Sequence, residues 1–167
     1  MYLFQAVRRE VEMKLLIKQR VFSWSDTYDI YDEFREVKYF VKAEFFSIGH
    51  VIHIYNRFQE EVGCIRQKLL TFLPAFELEI DGKYFGKIKK EFSLFRPRYQ
   101  LEFGDWRIEG NTFGWDYDVV AGNALIMTIS KELFHWGDTY SIDIFDEANE
   151  LMGLLIVIAI DAANCSN

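Results

Sequence analysis

Trp24-Ser25-Asp26-Thr27-Tyr28-Asp29-Ile30 returns near the far end of the chain as Trp136-Gly137-Asp138-Thr139-Tyr140-Ser141-Ile142. A repeated segment is worth pursuing first, because a missed repeat misassigns the whole fold. Further copies lie between the two. Aligned on an aliphatic start, the units begin at Ile17, Val41, Ile65, Ile88, Ile108 and Ile129. Seven positions on stand Trp24, Ile48, Phe72, Phe95, Trp115 and Trp136, and eleven positions on stand Tyr28, Ile52, Phe76, Tyr99, Val119 and Tyr140.

Between those two landmarks each unit carries turn chemistry, including Gly49-His50, Leu73-Pro74, Arg96-Pro97 and Gly137-Asp138, with a looser version around Gly114. Proline lacks an amide hydrogen and is excluded from central strands, so both prolines mark turns. Asp81-Gly82, Gly104-Asp105 and Gly122-Asn123 are among the turns that end units. The units are therefore hairpins, and six of them predict about twelve short strands. Within a strand the residues alternate: Phe76, Leu78 and Ile80 oppose Glu77, Glu79 and Asp81. One face of each strand is thus buried and the other wet, as in antiparallel sheets. A closed barrel and a two-layer sandwich both fit this spacing, and the barrel is the expectation. The fifth unit is short and degenerate.

The chain changes character at Leu151 to Ile160, ten residues without a polar side chain, preceded by Asp146, Glu147 and Glu150. Acidic residues suit a helix N-terminus, and a helix apolar all round is buried all round. Ten residues span about 15 Å, half the roughly 30 Å of a bilayer core. A central strand or a membrane insertion is the alternative to a helix at about 148–163 that plugs the barrel. Twelve strands leave a bore too wide for side chains alone, which such a helix would fill.

With 167 residues, half of them hydrophobic and including 16 Phe, 9 Tyr and 4 Trp, the chain suits one domain over 13–163. Residues 1–12 read as an appendage or an alternative start at Met13, without the apolar stretch of a signal peptide. A net charge of −7 argues against a nucleic-acid partner. Cys64 and Cys165 have no metal spacing; they read as a core thiol and a tail thiol in a reducing, cytoplasmic compartment.

Ile17 to Trp24, Phe45-Phe46-Ser47-Ile48-Gly49-His50, Phe113-Gly114-Trp115-Asp116-Tyr117 and Trp136-Gly137-Asp138-Thr139-Tyr140 resemble the LURP-one-related family. The resemblance covers about residues 13 to 163 and implies the fold of tubby C-terminal domains and phospholipid scramblases, a twelve-stranded barrel around a hydrophobic helix. Tubby domains bind phosphoinositides, but none of their ligand residues can be carried over to a position here. Fold alone is a weak guide to function.

No Gly-rich phosphate loop and no nucleophile elbow is present. His50, His53 and His135 offer no pair on one face at metal-ligand spacing, and Asp26 and Asp138 read as turn residues. Asp116 and Asp118, which flank Tyr117 on one face, are the nearest approach to an acid-base pair. The expectation is a protein that is not an enzyme and needs no cofactor or metal. Lys18, Arg20, Lys42, Arg66, Lys68 and Lys89 stand one or three positions into their units, hence on the wet face. They form a candidate lipid-binding band, for which the partner is an anionic phospholipid headgroup at the membrane periphery. A protein-interaction scaffold with no small ligand is the alternative, since charged strand faces commonly serve solubility. Trp24 and Trp136, equivalent positions before a turn, are expected to be structural.

Overall fold

A computed structural model describes residues 10–18, 27–46, 49–132 and 139–165. Within them the chain forms β1 (Met13–Lys18), β2 (Thr27–Asp32), β3 (Val37–Phe46), β4 (Gly49–Asn56), β5 (Glu61–Gln67) and β6 (Ala75–Ile80). It continues through β7 (Lys83–Glu91), β8 (Arg98–Leu101), β9 (Trp106–Asn111), β10 (Asp116–Ala121), β11 (Ala124–Glu132), β12 (Thr139–Ile144) and α1 (Glu150–Cys165). Arg20 of the candidate lipid-binding band and the landmark residues Trp24 and Trp136 lie outside the described residues, and so do the expectations attached to them.

The repeat is written into the hydrogen-bond ladders. Each unit's eleventh-position residue pairs with the next unit's aliphatic start: Tyr28 with Val41, Ile52 with Ile65, and Phe76 with Ile88. The same rule closes the ring, because Tyr140 of the last unit pairs with Ile17 of the first. All twelve strands join one antiparallel sheet in the order β8-β7-β6-β5-β4-β3-β2-β1-β12-β11-β10-β9. The rule fails only around the degenerate fifth unit. There β8 and β9 form a seam without a ladder, spanned by the Thr112 hydroxyl donating to the Pro97 carbonyl at 3.4 Å. The barrel is nearly closed.

Gly110 in β9 sits beside this seam with φ of +117°, and a β-carbon there would lie 2.6 Å from the Asp116 carbonyl oxygen. Both the backbone conformation and the space demand glycine. Gly110→Ala is expected to lower stability by about 1 to 3 kcal/mol, read as a lower denaturant midpoint with an unchanged slope. An unaltered midpoint would show that β9 and β10 can separate at no cost.

The inward-facing strand residues share one core cluster with α1, which packs most closely on β5, β6, β7 and β12 and keeps Leu154 to Ile160 at most 2% exposed. The helix therefore spends its apolar surface on the wall, although Glu147–Cys165 is long and apolar enough to cross a membrane. Two glycines allow the close approach. A β-carbon on wall residue Gly63 would reach Leu155 at 3.0 Å, and one on helix residue Gly153 would reach Met127 at 2.7 Å. The helix starts two residues later than expected, because Asp146 first caps a 3-10 turn by accepting from the Ala148 amide at 2.9 Å. Glu150, buried at the helix start, is held by Lys38 at 2.8 Å. At the other end Lys90 Nζ donates to the Ala163 carbonyl at 3.3 Å, satisfying one of the carbonyls a helix terminus leaves unpaired.

Candidate functional site

The described cations of the expected band, Lys18, Lys42, Arg66, Lys68 and Lys89, are on the outer face, but carboxylates stand beside most of them. β5 and β6 place Glu79 on Arg66 at 3.0 Å, and the Glu77 carboxylate accepts from Lys68 at 2.8 Å. Lys42 pairs with Glu44 at 2.5 Å, and Glu102 takes both Lys87 and Lys89. Lys18 is exposed with its ammonium 5.6 Å from the centre of the Tyr31 ring. Hydrogen bonding to Glu44 raises the Lys42 ammonium pKa, and hydrogen bonds from Lys89 and Lys87 lower that of Glu102. Exposed pairs of this kind contribute little stability. Their effect here is to leave the strand face closer to neutral than its cations alone imply.

A different feature stands out at the end of the barrel where α1 finishes. The turns inside the third, fourth and fifth hairpins lie side by side there, tied by the Lys90 amide donating to the Pro74 carbonyl at 2.9 Å and by the Thr112 contact across the seam. Leu70, Phe72 and Phe95 on these turns are at least 95% exposed, and Phe92, Leu94 and Phe113 are exposed as well. Leu70 also has φ of +57°, a left-handed conformation unfavourable for a branched side chain. Among the described residues Arg96 and Arg98, which flank Pro97, are exposed and have no carboxylate partner. Trp115, the equivalent landmark of the fifth unit, instead stacks on Tyr140 with ring centres 4.0 Å apart.

The LURP-one-related sequence profile matches residues 13–161, nearly the whole of this barrel and its helix. The chain belongs to the LURP-one-related family. The uncharacterised protein YxjI of Bacillus subtilis is 29% identical over 149 residues, covering 89% of this chain and 92% of its own. A solved X-ray structure of an Arabidopsis thaliana protein superposes with a TM-score of 0.62 at 14% identity, covering 90% of each chain, which shows a shared fold.

In this LURP-one-related barrel the sequence candidates for acid-base chemistry do not assemble. Asp118 accepts from the Thr128 hydroxyl at 2.7 Å on the neighbouring strand, and Asp116 stands exposed at the start of β10. Cys64 is buried as expected, yet on the outer face of β5 beside His53 rather than in the core cluster. Asp161, near the end of the helix, was missed by the sequence reading. Burial raises its carboxyl from 3.8 to about 7, and the buried Tyr117 hydroxyl close to it has no hydrogen-bond partner. Only the placement of the helix in the barrel makes that residue unusual.

Proposed function

We propose that the protein is a non-catalytic module that docks peripherally on anionic phospholipid surfaces, rim first. The observation that carries this reading is the set of exposed Phe and Leu side chains on adjoining turns, flanked by Arg96 and Arg98. Folding gains nothing from leaving such side chains in water, and contiguous exposed apolar surface marks interaction sites. An apolar tip ringed by cations matches the boundary between acyl chains and anionic headgroups. Each cation near such a surface contributes about 1 kcal/mol, so Arg96 and Arg98 steer while the aromatics insert. The cations Lys18, Lys42, Arg66, Lys68 and Lys89 approach the same end and add longer-range attraction, reduced at the last four by Glu44, Glu79, Glu77 and Glu102. The corresponding location is the cytoplasm, at the membrane periphery.

Co-sedimentation with liposomes tests the reading directly. The parent protein is expected to bind phosphatidylserine-containing vesicles at low salt, ignore neutral ones, and lose binding as ionic strength shortens the screening length below about 10 Å. Changing Phe72 and Phe95 together to Ser should weaken binding more than about 100-fold, from roughly 3 to 6 kcal/mol of lost burial when both rings insert, without lowering the melting temperature. If the parent ignores anionic vesicles even at low salt, the rim is a protein-docking surface and the scaffold alternative stands.

A further inference from the structure

Strand alternation alone sends Glu61 and Cys64, three residues apart, to opposite faces of β5. A bulge prevents this. The ladder pairs Ile54 with Gly63 and then Tyr55 with Glu61, so Val62 is the extra residue and Glu61 turns to the outer face. There it joins His53 and Cys64, which pair directly across β4 and β5. His53 Nδ1, Glu61 carboxylate oxygen and Cys64 Sγ lie within 4.8 Å of one another. His53 Nδ1 is 3.2 Å from Glu61 Oε1 yet makes no hydrogen bond, and Cys64 is a free thiol at 3% exposure. Behind the imidazole, Nε2 faces Glu44 at 4.0 Å, and Glu44 is itself fixed by Lys42.

We infer that His53, Glu61 and Cys64 form a binding site for a single zinc-class divalent cation on the outer wall of the barrel. The donors are one sulfur, one nitrogen and one oxygen, the mixture that borderline-soft Zn²⁺ takes at about 2.0 to 2.3 Å. Bonds of that length draw the three atoms closer, which rotation of the Glu61 and His53 side chains supplies. Three protein donors leave a fourth tetrahedral position to water. Glu44, 4.0 Å from Nε2, stands where carboxylates behind ligating imidazoles do, and closing to hydrogen-bond distance as the ring rotates onto the metal would fix the tautomer that leaves Nδ1 free. A cysteine thiol is largely protonated at neutral pH, while the metal takes the thiolate. Metal binding breaks the S–H bond, forms the metal–sulfur bond and releases one proton to solvent, and affinity rises with pH.

Titration of the full chain with Co²⁺, followed by displacement with Zn²⁺, tests the site. The expected result is one equivalent bound, a thiolate-to-cobalt charge-transfer band in the near ultraviolet, and its loss when zinc is added. Cys64→Ser should abolish the band while Cys165→Ser keeps it. His53→Gln should weaken binding by more than the about 10- to 100-fold typical of an outer-shell partner, and Glu44→Gln should fall within that range. Should Cys64→Ser fail to fold, the parent protein decides: Zn²⁺ must slow modification of Cys64 by a thiol reagent and leave exposed Cys165 reactive. No band in the parent, a band that survives Cys64→Ser, or no protection of Cys64 overturns the site.

Discussion

Replacing Leu155 with Asp is expected to abolish folding. Leu155 is fully buried at the middle of α1, where it packs against Gly63 of the barrel wall. The substitution removes a large apolar side chain, at about 2 to 5 kcal/mol, and puts a carboxylate where no cation can reach it, at several more. The total rivals the roughly 5 to 15 kcal/mol by which domains of this size are stable. Leu155→Met, which keeps volume and polarity, should cost less than about 1.5 kcal/mol. Soluble yield and thermal melting of the two variants check this. A chain ending at Asn149 that melts cooperatively near the parent temperature would falsify the view that the helix is the core.

Asp161→Asn is expected to act in the opposite direction and to depend on pH. The Asp161 carboxyl titrates near 3.8 in an unfolded chain and at about 7 in the barrel, because burial disfavours its charge. Between those values the folded state holds a proton that the unfolded state has released, so stability falls as pH rises through the window and levels off above it. The loss amounts to about 4 kcal/mol at pH 8 relative to pH 3. Asparagine carries no charge to desolvate. The variant should therefore gain on the parent progressively from pH 4 to 7, with the largest gain, up to a few kcal/mol, at pH 8. Unfolding by denaturant at several pH values measures the difference. Parallel curves for parent and variant sink the assignment.

The fold was legible in the sequence because its signal is periodic. The aliphatic starts at Ile17, Val41, Ile65, Ile88 and Ile129, and the eleventh-position residues from Ile52 to Tyr140, face inward because spacing and alternation both demand it. Even the seam was foreshadowed by the short fifth unit. What depended on register was not legible. Lys42, Arg66, Lys68 and Lys89 were recognisable as wet-face cations, but that Glu79 meets Arg66 and that Glu102 reaches across to Lys89 follows from strand pairing. Gly63 beside Val62 is the kind of lone strand glycine that accompanies a bulge, but it does not say which residue is extra, so plain alternation separates Glu61 from Cys64 while the chain unites them. Phe72 and Phe95 occupy the same unit position as Trp115, which hid the difference between an exposed tip and a stacked indole.

The ladder that pairs β1 with β12 has a consequence for synthesis. The first strand to emerge must wait for nearly the last before its free edge is covered, and the helix that lines the interior comes later still. At roughly 5 to 20 residues per second, a growing chain spends several seconds as an open, curved sheet with a greasy concave side and an unpaired margin. Such an intermediate invites pairing with its neighbours on the same messenger. Closure joins sequence-distant strands, which slows folding further. Chaperones that shield the concave face until β12 and α1 have emerged would therefore raise the yield of this protein.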